Sequence, residues 1–579
     1  MACLNRRSTA PLQSRRLRAL LVAGALALSV APPAARAPAV KPAIVATFHP
    51  LATQAGVQML ERGGNAFDAF VAATFAEYVV NEGGTSPAGS LGALVYEART
   101  GETKYLDAEF NGILARDGTW DSRKAWAAGD PEAGKAVLVP GAVAGLEALS
   151  KRYGRKSFAE ALRPAIDLAK NGFTVQGFYR AALILWSDFL RRSPYASRTF
   201  YPGGRPLRSG AVLAQPELAA FLEGLARQGG AYMYSGPWAA ECVKAVRAAG
   251  GLMTREDLAA YRPAWREPWA IDYRGYQVHA ASGRAFGALW DLVALETLEH
   301  ADIARLGHPS ASADALELLV RTARETLAEP WVFDYRQLDQ PAVVRSRLTP
   351  GFTRAIYARV AAKLPAKARQ YPSAHSYQIV VVDSEGNAIT GTNTHESLAW
   401  GSGVFVQGVP LNTAGRIPWG TRPGERQLSP FSVHLVLRHG ALFAATGAFS
   451  GSLLEGELQF LVNVIDFGLS ARDAVTRPRF GTFPYDPAAA LTSTIPGRLG
   501  AAAPNWLDPR VGADIVRTLK GRGLAFEQTP ASRPAAWVDT AMGTVVLVRP
   551  DGRIEGANTP WAGIAGPPGS VQVLPAPAH

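Results

Sequence analysis

Residues 376–387 constrain the fold most strongly, because they join a buried strand to a tight turn. The run Ile379-Val380-Val381-Val382 is entirely β-branched, which favours a strand buried on both faces. The next residues, Asp383-Ser384-Glu385-Gly386-Asn387, are typical of a turn in which Gly386 is free to adopt a positive φ. Ser376 begins the segment, seven positions before the turn. The segment alone favours an ordinary hairpin with a surface serine, so any chemical role for Ser376 depends on the rest of the chain.

The composition is that of a globular protein. The chain has 579 residues, of which 48% are hydrophobic and 19% are charged. It can therefore bury a sizeable core and is expected to form more than one domain. Its 57 glycines and 41 prolines suit a protein that mixes helices and strands and has many tight loops.

Residues 1–37 have the pattern of a bacterial export signal. A basic region that contains Arg15-Arg16 precedes a short apolar run from Ala19 to Val30, and Ala35-Arg36-Ala37 offers small residues for cleavage. The apolar run is too short to cross a bilayer. The arginine pair resembles a twin-arginine signal, which implies export of the folded protein. The mature protein is therefore expected in the periplasm or outside the cell.

The mature chain carries a small excess charge and no metal-binding pattern. Removing residues 1–37, which hold six arginines and no acidic residue, lowers the formal net charge from +12 to +6. No basic stripe is interleaved with aromatic residues, so nucleic acid is not expected as a partner. Cys242 is the one cysteine outside the signal, and its helical context predicts a buried thiol. The nine histidines lack metal-ligand spacing, so a metal site is not expected.

The first part of the chain contains two groups of motifs. In the first, helical spacing from Pro50 to Val80 is broken at Gly63-Gly64, and Asn65 is predicted to cap a second helix before a glycine-rich loop and a hairpin. In the second, Val137-Leu138-Val139 is predicted to be a strand, followed by a Pro-Gly turn and two helices, the second of which ends at Gly172. The order of these motifs resembles the large subunit of the γ-glutamyltranspeptidase family.

The rest of the chain continues the resemblance. Helices are predicted to dominate from Ala285 to Ala362, and a polar linker follows from Lys363 to Pro372. Beyond it, strands are predicted at 431–437 and 442–446, and the segment Asn463–Leu469 matches the small subunit of the family. The resemblance therefore spans residues 48–569.

The resemblance implies a fold and a division of the chain. The fold is α/β (α+β), the four-layer αββα sandwich of N-terminal nucleophile hydrolases. The implied parts are an export signal at 1–37, a mostly helical large-subunit region at 38–375, and a strand-rich catalytic small-subunit region at 376–579. Because the family makes both subunits from one precursor, His375-Ser376 is the implied cleavage site and Ser376 the implied nucleophile.

The implied catalytic residues are Ser376, Thr394, Ser450 and Gly451. A freed α-amine has a pKa of about 7.7–8.0, so Ser376 could deprotonate its own hydroxyl without a histidine. Thr394 matches the family's threonine that orients the nucleophile, although a plain strand threonine is also compatible. Ser450-Gly451 aligns with paired glycines whose N–H groups form the oxyanion hole, and that hole is expected to survive if φ of Ser450 is negative.

The implied acyl site departs from the family pattern. Glu109 stands where the family has the Arg that holds the glutamyl α-carboxylate, so like charges would repel that group. Glu396 replaces an Asn. Asn412 is kept from the segment that captures the α-amine, but the acidic partner in that segment is absent.

Three more substituted positions complete the predicted acyl site. Arg426 and Gln427 replace the family's paired serines, and Arg416 follows Asn412. One hypothesis is a swapped polarity, in which Glu109 and Glu396 bind a cation and the two arginines hold a carboxylate. The scaffold is thus retained, while most of the γ-glutamyl recognition set is replaced.

Three functions follow from these features. The first is a self-processed amidohydrolase or acyltransferase that forms an acyl-enzyme from a γ-glutamyl or related amide, with altered acyl specificity. The second is ordinary γ-glutamyl transfer or glutathione hydrolysis with rebuilt recognition. The third is a non-catalytic relative that serves as a binding or structural module. The first two imply a small-molecule amide or peptide substrate and water or an amine as acceptor, and their mechanism calls for neither a cofactor nor a metal. No stable membrane span is expected.

Overall fold

In a computed structural model of the protein, the described residues are 42–115, 132–363, 376–396, 399–416, 421–481, 505–528, 541–560 and 570–576. The predicted export signal, His375, the linker beyond Lys363 and the side chain of Arg416 lie outside what is described.

The described strands are, in chain order, β1 (Ala43–Ala46), β2 (Ser90–Glu97), β3 (Glu102–Ala108), β4 (Phe173–Thr174), β5 (Val212–Leu213), β6 (Ala264–Arg266), β7 (Trp269–Tyr273), β8 (Tyr276–Ala280), β9 (Ser376–Val382), β10 (Ala388–Thr394), β11 (Phe405–Val406), β12 (Val409–Pro410), β13 (Ser432–Arg438), β14 (Ala441–Phe449), β15 (Phe480–Gly481), β16 (Asn505–Leu507), β17 (Phe526–Glu527), β18 (Met542–Val548), β19 (Ile554–Asn558) and β20 (Val571–Leu574).

The described α-helices are α1 (Pro50–Glu61), α2 (Ala66–Val80), α3 (Ala142–Tyr153), α4 (Phe158–Asn171), α5 (Gly177–Leu185), α6 (Ser187–Leu190), α7 (Pro194–Phe200), α8 (Pro216–Gln228), α9 (Ala231–Tyr234), α10 (Pro237–Ala248), α11 (Arg255–Ala259), α12 (Phe286–Leu298), α13 (Ala313–Leu327), α14 (Tyr335–Leu338), α15 (Pro341–Arg347), α16 (Pro350–Ala361), α17 (Leu453–Ile465), α18 (Ala471–Thr476) and α19 (Ala513–Gly521).

Two large antiparallel sheets form the centre of the fold. The first has the strand order β20-β1-β9-β10-β2-β3-β6, and the second has the order β19-β18-β14-β13-β8-β7. Each sheet combines strands that precede Ser376 with strands that follow it. The sandwich is therefore built jointly by the two parts of the chain, as the sequence predicts.

The alternation of side chains along β9 places the first sheet between two cores. Ile379 and Val381 pack with the α2 residues of one hydrophobic core, whereas Val380 and Val382 pack with the core that contains the second sheet. Helices α1, α2 and α3 cover the outer face of the first sheet, with α4 packed on α2, and α12 and α17 cover the second sheet. The layers are helix, sheet, sheet and helix, which confirms the predicted αββα sandwich.

Polar contacts between the sheets show which face of β9 points inward. The Gln378 Nε2 atom donates to Thr390 Oγ1 at 2.6 Å, and Thr390 Oγ1 donates to the Thr446 carbonyl of β14 at 2.9 Å. Since Ser376 lies two positions before Gln378, its side chain shares the face toward the second sheet.

The local signals of the sequence are confirmed at two positions. The Asn65 side chain accepts hydrogen bonds from the N–H groups of Phe67 and Asp68, and the Asp68 carboxylate accepts from the Asn65 N–H, which completes a capping box at the start of α2. After β9, Asp383 accepts from the N–H groups of Glu385 and Asn387 at 2.9 and 3.0 Å. Gly386 adopts a φ of +91°, as the turn requires.

The strand predicted at Val137-Leu138-Val139 is wrong. Val139 forms a single bridge with Asn111 through two backbone hydrogen bonds of 3.0 and 3.1 Å. The backbone of Leu138 is bound by the side chain of Asn412, and Pro140 has no N–H to continue a ladder. A β-rich composition therefore yields an extended segment without a strand partner.

Two further features concern the apolar character of the helices and the free cysteine. Within the described residues, no helix has both the length and the apolar character that a bilayer crossing demands. The Cys242 thiol is buried in α10, as predicted.

Candidate active site

Three hydroxyl side chains lie in one row across the first sheet. Ser376, the first residue of β9, stands opposite Thr394, the last residue of β10. Thr394 in turn stands opposite Ser90, the first residue of β2. Opposed residues of antiparallel strands project to the same side of the sheet. All three side chains are buried and share the face toward the second sheet.

The segment Ser450-Gly451 lies at the same end of the sandwich as Ser376. The ring of Tyr377 packs 5.8 Å from the ring of Phe449, measured between centroids. Ser376 precedes the first of these aromatic residues and Ser450 follows the second. The packed rings therefore bring the start of β9 and the end of β14 together.

The backbone of Ser450 differs from the expectation. Its φ is +74°, so the condition of a negative φ is not met. A serine thus occupies the left-handed region that glycine enters freely, at a cost of about 1–2 kcal/mol. Among the described residues, the N–H groups of Ser450 and Gly451 have no hydrogen-bond acceptor. They precede the N-terminus of α17, where the helix dipole favours negative charge, so they suit an oxyanion.

Thr394 connects the nucleophile candidate to the residues predicted for the acyl site. Its Oγ1 atom accepts a hydrogen bond of 2.8 Å from the N–H of Glu396. Glu396 has a φ of +52°, and its carbonyl accepts a hydrogen bond of 3.2 Å from the Thr413 hydroxyl. These contacts hold the residues after β10 in a strained turn, of the kind that is often found at functional sites.

Glu109 lies beside the hydroxyl row. Leu91 of β2 pairs with Ala108 at the end of β3, so Glu109 is the next residue along the edge that Ser90 begins. The Glu109 side chain is buried, and burial raises its pKa to about 8, with the charge of Asp107 adding to the effect. Its Oε1 atom has no hydrogen bond of acceptable geometry among the described residues, although the Ser429 and Ser90 hydroxyls lie near the carboxyl and oppose part of the rise in its pKa.

Glu396 is the second buried carboxyl of the site. Burial raises its pKa well above the ordinary value of 4.5, and the nearby charge of Glu109 raises it further. Neither carboxyl oxygen of Glu396 has a hydrogen-bond partner among the described residues. The two positions that the family resemblance marks for acyl recognition are therefore brought together by the fold.

The Arg426 guanidinium is bound by other groups of the protein. Its guanidinium lies 3.2 Å from the Asp107 carboxylate and donates to the Glu109 carbonyl at 2.7 Å and to the Tyr261 hydroxyl at 2.6 Å. The other oxygen of Asp107 accepts from Arg266 at 2.7 Å. Two arginines therefore compensate Asp107, and Arg426 fixes the backbone under Glu109.

Asn412 also serves the backbone in this structure. Its Oδ1 atom accepts from the N–H groups of Leu138 and Ala414, and its Nδ2 atom donates to the carbonyls of Ala88 and Leu138. All four hydrogen-bonding positions of the amide are used. Gln427 differs, because its Nε2 atom donates to the Ala414 carbonyl at 2.9 Å while its buried Oε1 atom has no partner among the described residues.

Three residues of the site carried no functional prediction from sequence. Ser90 begins β2 within the glycine-rich loop, and its place in the row follows from strand register, which no local pattern reveals. Asp107 and Tyr261 act through Arg426 from distant segments. For Asp107, its position in the acidic run next to Glu109 was a usable signal.

The described part of the chain contains no group of three or more His, Cys, Asp or Glu side chains arranged to hold a metal ion. The groups of the candidate site that could take part in a reaction are hydroxyls, carboxyls and backbone N–H groups. These suit acyl transfer through a nucleophile and an oxyanion hole.

Comparison with known proteins assigns the chain. A sequence profile described as Gamma-glutamyltranspeptidase matches residues 52–561. The chain belongs to the gamma-glutamyltranspeptidase family. It is thus an enzyme of the gamma-glutamyltranspeptidase type, within a family of hydrolases and acyltransferases, and the resemblance found in its motifs is confirmed.

Relatives in this family carry two kinds of name. The chain is 28% identical over 565 residues to the glutathione hydrolase proenzyme of Escherichia coli (strain K12), with 90% of each chain covered. It is 30% identical over 480 residues to the acylase ACY 1 proenzyme of Pseudomonas sp. (strain SE83), which covers 76% of this chain and 82% of the relative.

A solved structure supports the gamma-glutamyltranspeptidase fold. The cephalosporin acylase from Bacillus halodurans superimposes with a TM-score of 0.76 at 23% identity, covering 95% of this chain and 100% of that chain. At this identity the likeness concerns the fold, which agrees with the layers described above.

Proposed function

We propose that this protein is a self-processed amidohydrolase and acyltransferase with Ser376 as its nucleophile. The observation that carries the proposal is the position of Ser376 at the first residue of β9, opposite Thr394 and at the end of the sandwich where Ser450 and Gly451 present unpaired N–H groups. A buried hydroxyl with an orienting neighbour and an oxyanion site has the parts that acyl transfer needs.

Self-cleavage is the first reaction in this proposal. The Ser376 hydroxyl attacks the carbonyl carbon of His375, a C–O bond forms, the C–N bond breaks, and the hydroxyl proton ends on the new α-amine. Water then hydrolyses the ester, which leaves a carboxylate on His375 and restores the hydroxyl of Ser376. The products are a large subunit that ends at His375 and a small subunit that begins at Ser376.

Turnover uses the same oxygen atom. The freed α-amine accepts the hydroxyl proton, since its ordinary pKa of about 7.7–8.0 suits a general base near neutrality. The Ser376 oxygen attacks the substrate amide, and the leaving amine takes a proton as the acyl-enzyme ester forms. Water releases the acyl group as an acid, or an acceptor amine releases it as a new amide.

The proposed acyl specificity differs from that for a γ-glutamyl group. Glu109 and Glu396 present buried carboxyls at positions where the family resemblance implies recognition of a carboxylate, and Arg426 is bound to Asp107. A substrate carboxylate would oppose ionisation of both carboxyls, and it would meet like charge in a site of low dielectric constant once either carboxyl is ionised. The occurrence of an acylase proenzyme among the relatives supports a change of acyl group within this family.

We also propose that the mature protein works outside the cytoplasm. The support is the sequence of residues 1–37 alone, with its paired arginines, short apolar run and small-residue cleavage site.

Trapping of the acyl-enzyme tests the proposed function. The self-processed protein is mixed with anilide substrates of different acyl groups, quenched in acid and analysed by intact mass. The proposal expects the small subunit to gain the mass of one acyl group, located on Ser376 by peptide mapping. Turnover without an adduct on Ser376, or turnover by Ser376→Ala, would exclude Ser376 as the nucleophile. Failure of every amide to react with a stable, uncut chain would favour a non-catalytic binding role.

A further inference from the structure

The acyl site contains an excess of hydrogen-bond acceptors. Glu109 Oε1, both carboxyl oxygens of Glu396 and Gln427 Oε1 are buried, and none has a hydrogen-bond partner among the described residues. Buried polar atoms are normally satisfied, and leaving them unpaired destabilises the fold. The Ser429 and Ser90 hydroxyls lie near Glu109, whereas the Glu396 and Gln427 side-chain oxygens have no donor among the described residues. The missing donors point to a ligand that supplies them.

These acceptors belong to one small region beside the nucleophile. Glu396 is tied to Thr394 by its N–H, and its charge interacts with that of Glu109. The Gln427 N–H donates to the carbonyl of Phe110, the residue after Glu109, at 2.9 Å.

The Ser90 hydroxyl is a further buried polar group of the same region, and it lies near the Glu109 carboxyl. The Ser90 hydroxyl is buried, makes no hydrogen bond of acceptable geometry among the described residues, and lies in the row that runs from Ser376 through Thr394. Ser90 therefore lies between the candidate nucleophile and Glu109 across the sheet.

The nearby arginines are paired with another carboxylate, although the charge of Arg426 also acts on Glu109. Arg266 and Arg426 are both paired with Asp107. Arg426 also donates hydrogen bonds to the Glu109 carbonyl and the Tyr261 hydroxyl. The protein thus neutralises Asp107 and leaves Glu109 and Glu396 without a cation of their own among the described residues.

We infer that this region binds an ammonium group of the substrate, so that the acyl chain carries an amine and no carboxylate at the position facing Glu109 and Glu396. An ammonium has three donors at one compact centre and a positive charge, which match unpaired acceptors and two carboxyls. A positive charge favours ionisation of the two carboxyls, which burial opposes, whereas a carboxylate has only acceptors and would oppose that ionisation further. The inference rests on the proposed function and names the substrate class of that same site.

Four matched p-nitroanilides test the inference on the self-processed enzyme. The γ-glutamyl anilide has an amine and a carboxylate, the 4-aminobutyryl anilide keeps only the amine, the glutaryl anilide keeps only the carboxylate, and the butyryl anilide has neither. After subtraction of enzyme-free rates, kcat/KM of the 4-aminobutyryl anilide is expected to exceed those of the glutaryl and butyryl anilides by about 100-fold. A faster glutaryl or γ-glutamyl anilide, or no discrimination, overturns the inference.

Carboxamide variants locate the preference. In Glu109→Gln and Glu396→Gln the 4-aminobutyryl to glutaryl ratio of kcat/KM is expected to fall at least about 10-fold, since glutamine keeps the shape but cannot ionise beside an ammonium group. The ratio of two substrates on one variant is unaffected by partial misfolding. Glu385→Gln is the matched control, because Glu385 pairs with Arg155 at the opposite end of β9 and should leave the ratio unchanged. An unchanged ratio in both site variants overturns the inference.

A binding experiment covers an enzyme that turns over none of the four anilides. Calorimetric titration of the self-processed protein with 4-aminobutanamide and with glutaramic acid compares the same two head groups. Tighter binding of the amine by at least about 10-fold supports the inference, and equal or weaker binding overturns it. Failure of the proposed function is seen separately, as a chain that stays uncut or an acyl adduct that never appears on Ser376.

Discussion

Ser376 and Thr394 stand directly opposite each other as the first residue of β9 and the last residue of β10. Opposed residues on antiparallel strands have Cβ atoms about 4.5–5.5 Å apart. The Thr394 hydroxyl is therefore fixed by strand pairing within reach of the Ser376 side chain, and its Oγ1 also accepts the N–H of Glu396. One register relationship thus couples the candidate nucleophile to the acyl site.

This pairing predicts the effect of changes at Thr394. Thr394→Ala should lower kcat about 10- to 100-fold, because the nucleophile loses an orienting hydroxyl, whereas Thr394→Ser should retain most of the activity. Steady-state rates at saturating concentrations of the anilide with the highest kcat/KM give kcat, and thermal melts verify folding. Equal loss in both variants would show that the methyl group, and not the hydroxyl, is what matters.

Replacing the nucleophile itself gives a second prediction. Ser376→Ala should abolish both self-cleavage and turnover, because no oxygen remains to attack either carbonyl. Ser376→Thr should keep both, since threonine presents the same hydroxyl with a more restricted χ1. Gel analysis of the purified variants and an anilide assay measure the two activities. Inactivity of the threonine variant would imply that the site has no room for a methyl group.

The strained backbone at Ser450 predicts a stabilising substitution. Ser450→Gly should raise the free energy of unfolding by about 0.5–1 kcal/mol, because relief of a left-handed serine outweighs the flexibility that glycine adds to the unfolded chain. Denaturant titration measures the change. Ser346→Gly, in the last turn of helix α15, is the control and should cost about 0.5 kcal/mol. Equal destabilisation by both would indicate that the Ser450 side chain makes a compensating contact.

The contacts of Arg426 predict that even a conservative substitution by lysine destabilises the fold. Arg426→Lys should lower the free energy of unfolding by about 1–3 kcal/mol, because lysine cannot reach Asp107, the Glu109 carbonyl and Tyr261 together. Arg422→Lys, at a side chain 46% exposed, should change stability by less than about 0.5 kcal/mol. Denaturant titration of both variants measures the difference. Similar effects in the two would remove the structural role given to Arg426.

Glu109 predicts a dependence of stability on pH. Burial raises its pKa from 4.5 to about 8, and Asp107, Glu396 and Arg426 are the charged groups nearest to it. Between these values the carboxyl is protonated in the folded state and ionised in the unfolded state. The folded state then binds more protons, so the free energy of unfolding falls as pH rises, by up to about 1.4 kcal/mol per pH unit.

The variant Glu109→Gln isolates this contribution, because glutamine stays neutral. The free energy of unfolding of Glu109→Gln minus that of the unmodified protein should grow from pH 5 to pH 8 and then level off. Denaturant titrations at four pH values measure it. A difference that stays constant across this range would show that Glu109 ionises normally.

Part of this architecture follows from local sequence. The cap at Asn65 and the turn after β9 depend on residues a few positions apart, so short patterns suffice to predict them. The segment at Val137 failed because a strand needs a partner, and the partner of Leu138 is the Asn412 side chain. Strand pairing is a tertiary property, which composition does not encode.

The site shows the same division. Ser376 and Thr394 were found through motifs, but their direct opposition is a matter of register. The sequence hypothesis assigned a substrate carboxylate to Arg426. In the fold the Arg426 guanidinium instead pairs with Asp107, which comes from a distant strand. The positive φ of Ser450 likewise follows from how β14 meets α17 and not from the residue type.

Self-cleavage is the most direct test of the central claim. Intact mass and N-terminal sequencing of the purified mature protein should give two fragments, the smaller beginning Ser376-Tyr377-Gln378, while Ser376→Ala stays a single chain. A single uncut chain that is stable through prolonged incubation, or cleavage that persists in Ser376→Ala, would contradict the assignment of Ser376.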